Sequence, residues 1–380
     1  MKWLNNTLNY MELIKEQKVI IVVGEINKAG VANAALNFYR VCSKFYKDKI
    51  AFDFVTTVEP NDQLKEEFER IGTKYFVIKR IREQGFKNYV KQLRQIIKVN
   101  GPYVALHSHL GDKNWLACKA AKKQGIKNIV AHAHGSVGLT PIHSLATKFV
   151  FARLNRKYST KRFACSNKSG KYTFKKDFEF LPNVISSDNV TFDHTKNLYD
   201  ELRVVKDTRI IGYLGVFEEQ KNAEYLLQIM NRYQATKQNV ICLMAGNGSL
   251  FEDVKQKAAS SKNIRFLGYR NDANDLLRIF DVLVMPSLSE GMSMSLLSAQ
   301  LIGTPCVVSN GVPNTNDLGF GLFTKVSDFN VNKWCDAINA AFTVDKRKDF
   351  NDINERFEKL KVIGYDEETI AKRLIEAYLH

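Results

Sequence analysis

Apolar positions along this chain follow two periods. Short, continuous apolar runs bounded by turn residues predict buried strands, and stretches repeating every three to four residues predict helices. Strand runs fall at Lys18–Gly24, Ala51–Thr56, Tyr75–Ile78, Tyr103–Ser108 and Asn128–Ala131, with helical stretches between them at Ala32–Lys44, Leu64–Ile71, Phe86–Val99 and Asn114–Gln124. A helix over Ile142–Tyr158 and short strands at Phe163–Ser166 and Glu179–Pro182 follow. Residues 186–207 are polar and charged and read as a linker. Strands then resume at Arg209–Leu214, Val240–Ala245, Ile264–Leu267, Val282–Met285 and Pro305–Ser309, with helices at Ala223–Tyr233, Asn274–Phe280, Met294–Ile302, Trp334–Phe342 and Asp366–Leu379. Strict alternation of strand and helix predicts an α/β protein built on parallel sheets. The length, 380 residues, suits two domains. The expected division is an N-terminal arm at 1–17, a Rossmann-like domain at 18–190, the linker at 186–207, a second Rossmann-like domain at 208–362 and a C-terminal helix at 363–380.

The most informative stretch is 281–309. Pro286-Ser287 starts a turn after a buried strand, Gly291 lets the backbone approach a ligand, and Gly303-Thr304-Pro305 stops the helix that follows. Glu290 therefore stands just ahead of a helix N-terminus, with backbone amides expected free at Met292, Ser293 and Met294. Orphan amides and the helix dipole both favour an anion such as phosphate. A carboxylate beside a phosphate site points to a ligand carrying a diphosphate and hydroxyls, that is, a nucleotide sugar.

Composition narrows the picture. Apolar residues make up 45% of the chain, enough for sizeable cores. No window approaches the roughly 20 apolar residues of a membrane span, and the polar start is unlike a secretory signal. The six cysteines are scattered and form no C-x-x-C pair, as expected of small buried hydrophobes in a reducing cytoplasm. Charge is uneven: residues 61–180 hold 25 Lys or Arg against 8 Asp or Glu, so their net of +17 accounts for the whole chain's +16. Such asymmetry predicts either an anionic partner for this half, such as a membrane surface, or a solvated lysine surface. The Ile142–Tyr158 helix, with Leu145, Phe149, Val150 and Leu154 on one side and Lys148, Arg153, Arg156 and Lys157 elsewhere, fits an interfacial helix or a core-packing helix with a wet basic face. Four of the seven histidines form two H-x-H pairs, His107/His109 and His132/His134, at the C-terminal ends of two strands, the edge where open α/β sheets bind ligands. An H-x-H pair can chelate zinc, cap strand ends or face a sugar; spacing supplies no third metal ligand.

The run Pro-Ser-Leu-Ser-Glu-Gly at 286–291, with Ala299-Gln300 and Gly303-Thr304-Pro305, resembles the donor-site signature of glycosyltransferase family 4, and most of all its bacterial exopolysaccharide and capsule enzymes. The resemblance spans about Lys18 to Leu379. It implies the GT-B fold, two Rossmann-like domains facing each other across a cleft that holds the site, with the terminal helix crossing back to the first domain. It further implies a donor site of Gly30, Val216, Lys221, Asn222, Gly246, Tyr269, Arg270, Glu290, Gly291, Met292, Ser293, Met294 and Ser298. Lys221 would grip the diphosphate, Glu290 orient the sugar hydroxyls and His134 contact the sugar, these three being the expected catalytic residues. His107, His109 and His132 would lie on the acceptor side. The chain departs from the family at Ala29, where a glycine is usual, at Ala32, often Glu, at Val216, usually Arg, and at Ser298, usually the Glu that holds the ribose.

The expected function is a retaining transfer of a hexose from a nucleotide diphosphate sugar, a UDP-sugar by resemblance, to a cell-surface polysaccharide or lipid-linked glycan. No cofactor or metal is expected, and the enzyme would be cytoplasmic or peripheral on the inner face of the membrane. The four departures define the alternative, a non-catalytic GT-B partner of a glycosyltransferase. A sugar-nucleotide epimerase shares the architecture but fits the Glu290 segment less well, and the chain lacks the aromatic-rich basic motif of a nucleic-acid binder.

Overall fold

The computed structural model describes residues 17–27, 30–135, 145–187, 190, 198–205, 207–344 and 353–380. The expected N-terminal arm, Ala29 and the first residues of the Ile142–Tyr158 helix lie outside them. The chain forms two units: the described residues up to His134, those of 145–184 and Glu367–His380 make one, and those of 185–366 make the other.

The first unit carries a seven-stranded sheet in the order β3-β2-β1-β4-β5-β6-β7. Its strands are β1 (Gln17–Val22), β2 (Ile50–Thr56), β3 (Lys74–Val77), β4 (Ala105–Ser108), β5 (Asn128–Ala133), β6 (Lys161–Ala164) and β7 (Glu179–Phe180). All neighbours run parallel. Parallel pairing requires crossover helices, which bury both faces of the sheet and explain why these strands read as continuous apolar runs. One face packs against helix α1 (Val31–Tyr46) and the C-terminal helix (Glu367–Leu379), in a core that includes Val19, Ile21, Phe38, Phe54, Leu374 and Tyr378. The other face packs against the helices Ile81–Asn100 and Asn114–Lys123, burying Val22, Leu93, Leu106 and Leu116. β1 begins and ends a residue or two before its expected bounds, and β5 continues through Ala133, so His132 sits within the strand.

The helix Leu145–Tyr158 buries one side and turns part of its apolar pattern outward. Phe151, Ala152 and Asn155 are buried, whereas Phe149 and Val150 are 58% and 50% exposed. The exposed positions Ala146, Phe149, Val150, Arg153 and Lys157 follow helical spacing and make one outward stripe. Asn155 explains the orientation. Its side chain accepts from the Trp115 amide at 2.7 Å and donates to the carbonyls of Asp112 and Thr173 at 3.0 and 3.3 Å. A buried amide satisfied on both ends fixes the helix by its polar side.

The second unit carries a six-stranded parallel sheet in the order β10-β9-β8-β11-β12-β13. The strands are β8 (Arg209–Leu214), β9 (Val240–Ala245), β10 (Ile264–Gly268), β11 (Val282–Met285), β12 (Cys306–Ser309) and β13 (Phe323–Val326). The sequence pattern did not indicate β13, nor the helices Asn167–Thr173, Phe251–Lys257 and Ile353–Ile363. The last packs on the helix Met294–Ile302, where the buried Arg356 donates to the carbonyl of Leu301 at 3.1 Å.

Candidate active site

Chain order places the loops after β8, β9 and β11 at one sheet edge, because strands in a parallel sheet all end on the same side. The loops lock together through backbone. The Gly215 amide donates to the Ala245 carbonyl at 3.1 Å and the Phe217 amide to the Asn247 carbonyl at 2.8 Å. Gly246 has φ +140°, and a Cβ there would lie 1.8 Å from the Gly215 oxygen. Only glycine tolerates both the backbone angle and the approach.

Lys221 closes a short 3-10 turn, Glu219–Lys221, and Asn222 follows in the left-handed conformation at φ 51°. From there the Asn222 amide side chain donates to the Pro286 carbonyl at 3.2 Å, and the Leu288 amide donates to the Gln220 carbonyl at 2.8 Å. These bonds bring Lys221 onto Glu290: its ammonium forms an ion pair with the Glu290 carboxylate. Both side chains are largely buried, and Ser287 Oγ donates to the same carboxylate at 3.4 Å. Glu290 is itself anchored by its amide, which donates to the Gly311 carbonyl at 3.1 Å. The hydroxyl of Tyr213, on β8, donates to the Val216 carbonyl at 2.7 Å. Its acidity is lowered by burial and secondarily by the Glu290 charge, so it stays protonated.

The helix behind Glu290 is Met294–Ile302, as its pattern predicts, with Ser293 at the N-cap and left-handed Gly303 at the C-cap. The amide at Ser293 is not free, contrary to expectation: it donates to Asn316 Oδ1 at 2.7 Å, and Asn316 Nδ2 donates to the Gly291 carbonyl at 2.9 Å. The first intrahelical bond runs from Leu297 to Ser293, so among the described residues the amides of Met294, Ser295 and Leu296 are left without a partner. Met292 is buried, and Ser298 is half-buried on the same helix. Asn316 escaped the sequence reading because nothing local marks it. It sits 25 residues from Gly291, and only the tertiary fold brings it under the turn.

The remaining donor-side residues are placed as follows. Val216 is half-buried in the loop after β8. Tyr269 is 62% exposed beyond β10. Arg270 is already occupied, forking onto Asp272 at 2.7 and 2.6 Å and reaching Glu201 at 2.8 Å, which raises its pKa further. Gly30 has φ +81° and precedes the first helix, and Ala32 is buried in that helix.

In the first unit the four strand-end histidines converge, which their spacing alone does not reveal. All lie on the sheet face covered by Phe38 of α1, whose ring is 5.0 Å from His132 and stacked on it. His107 Nδ1 is 2.7 Å from the Tyr378 hydroxyl, and His107 Nε2 is 3.3 Å from His132 Nδ1. His109 Nδ1 is 2.7 Å from His134 Nε2, and His134 Nδ1 is 3.3 Å from Asn183 Oδ1. Burial drives the imidazoles of His107 and His134 down to about 3 and about 4, and those of His109 and His132 well below their ordinary value, so all four are neutral near pH 7. His107, His109 and His132, expected on the acceptor side, are buried; His134 is the most exposed of the four.

Comparison with known proteins agrees with this geometry. Residues 208–343 match the family described as Glycosyl transferases group 1. The chain is 28% identical to EpsF of Bacillus subtilis, assigned as a glycosyltransferase, over 96% of both chains. It is 26% identical to the UDP-Gal:alpha-D-GlcNAc-diphosphoundecaprenol alpha-1,3-galactosyltransferase of Escherichia coli, over 55% of this chain and 58% of that one. The crystal structure of Anabaena HepE in complex with UDP and glucose superposes with a TM-score of 0.75, covering 95% of this chain and 99% of that one at 14% identity. The two parallel sheets and the solved neighbours define the GT-B architecture, and the family match and the sequence relatives make the protein a glycosyltransferase. The segment that carries Lys221 and Glu290 lies within the matched residues, and the family it matches is the one that the sequence motifs resemble.

Proposed function

We propose that the protein transfers a hexose from a UDP-sugar, with retention of configuration, to a cell-surface polysaccharide or lipid-linked glycan. The observation that carries this reading is the largely buried Lys221–Glu290 pair, whose carboxylate stands four residues ahead of a helix with its first amides, those of Met294, Ser295 and Leu296, unbonded among the described residues. A cation and three aligned donors suit a diphosphate, on which negative charge grows as the sugar leaves, and the adjacent carboxylate suits the sugar hydroxyls. With the donor bound, Lys221 shares its charge between Glu290 and the phosphate. In the first unit His134, the most exposed of the four histidines and held by His109 and Asn183, is the residue proposed to contact the sugar. Buried His107 and His132 have no direct acceptor contact in this scheme. The HepE complex supports a UDP-sugar donor, and the diphosphoundecaprenol-linked acceptor named for the Escherichia coli relative supports a lipid-linked one.

The outward Phe149 and Val150, flanked by Arg153 and Lys157, support delivery of such an acceptor at an anionic membrane surface. A second reading, a non-catalytic partner, is favoured by Val216 and Ser298, which remove one cation and one carboxylate from the donor site. Calorimetric titration with UDP, GDP and UDP-hexoses separates the two. The expected result is micromolar UDP binding that Glu290→Ala weakens by at least tenfold. No binding at millimolar nucleotide would overturn the transferase reading and leave the partner.

A further inference from the structure

The four-histidine cluster contains an unmet need. His109 Nε2 and His132 Nε2 are buried and have no hydrogen-bond partner among the described residues. A buried polar nitrogen left unpaired is costly, and two in one cluster demand a common explanation. The same cluster meets the geometric condition for a metal: one ring nitrogen from each of His107, His109 and His132 lies within 4.8 Å of the other two. We propose that His107, His109 and His132 bind a divalent transition-metal ion of the zinc class inside the first unit.

Three features of the site support this assignment. The donors are three imidazoles, and an imidazole-only set suits zinc, copper or nickel and not magnesium or calcium. The contact between His107 Nε2 and His132 Nδ1, 3.3 Å, is a weak hydrogen bond. It matches the roughly 3.3 Å between two imidazole nitrogens on a tetrahedral ion at about 2.0–2.1 Å. An ion inserted there replaces that bond and takes up the orphan Nε2 of His109, leaving the proton of the His132 ring on its Nε2. The outer nitrogens are held as they are around protein-bound metals: His107 Nδ1 by the Tyr378 hydroxyl, and His109 Nδ1 by His134, itself held by Asn183. Such partners fix ring orientation, and here they come from the C-terminal helix and the loop after β7. A solvent-derived oxygen completes the fourth position, as in zinc sites with three protein ligands. The three proposed ligands are distinct from Glu290 and Lys221, the pair proposed to act on the diphosphate.

The test uses the full-length protein and needs no substrate. Purified protein is stripped with chelator, then titrated with Zn2+ and with Co2+. The expected result is one equivalent bound, a thermal midpoint that rises by about 5 °C with Zn2+ but not with Mg2+, and a cobalt spectrum without thiolate charge-transfer absorption. His109→Gln should lose the bound equivalent and the thermal rise, while His380→Gln, a surface control, keeps both. Should His109→Gln fail to fold, the wild-type cobalt spectrum and thermal response decide alone. No thermal response to Zn2+, a thiolate band that moves the ion to cysteine, or an equivalent retained in folded His109→Gln would each overturn the proposal.

Discussion

At the scale of single residues, two positions carry most of what is unusual about the proposed donor site. Val216 stands where the family resemblance implies an arginine on the diphosphate, and Ser298 where it implies a glutamate on the ribose. Both are half-buried, and the backbone around each holds without the side chain: the Val216 carbonyl takes the Tyr213 hydroxyl, and Ser298 lies within an intact helix. Restoring the missing groups should therefore add affinity without rebuilding the loops. A charge-assisted hydrogen bond contributes about 1.5–3 kcal/mol, or about tenfold or more in Kd. Val216→Arg is expected to tighten UDP but leave uridine unchanged, because its target is the diphosphate. Ser298→Glu is expected to tighten both, because its target is the ribose. Titration of each variant with UDP and uridine checks the pair, and equal gains for both ligands in Val216→Arg would place the arginine elsewhere. Residue identity was legible here because Lys221 and Glu290 sit in short local motifs. Asn316 and the meeting of four histidines were not, since each depends on segments distant in sequence being folded together.

At the scale of elements, the strand–helix alternation was readable because each strand is buried on both faces and each crossover helix is periodic. The helix Met294–Ile302 and the strands β8, β9 and β11 keep their expected bounds. Short elements were missed where a few residues of mixed polarity give no period, as in β13 and the helix Phe251–Lys257. The helix Leu145–Tyr158 was found, and its pattern left open whether Phe149 and Val150 face the core or an interface. Both side chains are exposed, because the hydrogen bonds of Asn155 hold the opposite side of the helix inward, and those bonds could not be read from hydrophobicity. The loop elements at the donor site have the opposite character, being held by close backbone approach. Gly246→Ala would drive a methyl group into the Gly215 carbonyl at a backbone angle that L-residues rarely adopt. The expected outcome is a loss of about 2–4 kcal/mol of stability in the second unit, with UDP affinity falling as the β8 and β9 loops part. Denaturant unfolding with a donor titration checks this, and unchanged stability would show that the loops yield more easily than their geometry indicates.

At the scale of the whole molecule, the charge asymmetry and the outward helix face explain one another. Residues 61–180 carry +17 against +16 for the chain, and the helix Leu145–Tyr158 lies inside this segment. No described helix is long and apolar enough to cross a membrane. A basic surface alone would be ordinary solvation, and two exposed apolar side chains alone would be unremarkable. Together they make the combination that holds a protein at an anionic interface: each lysine or arginine near the surface contributes about 1 kcal/mol, and burying the exposed parts of Phe149 and Val150 adds about 2 kcal/mol. The two contributions are separable. Flotation with anionic phospholipid vesicles should show binding that falls steeply with salt and is weak on neutral vesicles, since screening acts on the charges. Phe149→Ser with Val150→Ser should weaken binding roughly thirtyfold at every salt concentration while leaving the steepness of the salt dependence intact, because the apolar share does not screen. Equal binding to neutral and anionic vesicles would remove the basic surface from the account. An unchanged affinity in the double variant would leave the lysines as a solvated face and the two exposed apolar residues without a role.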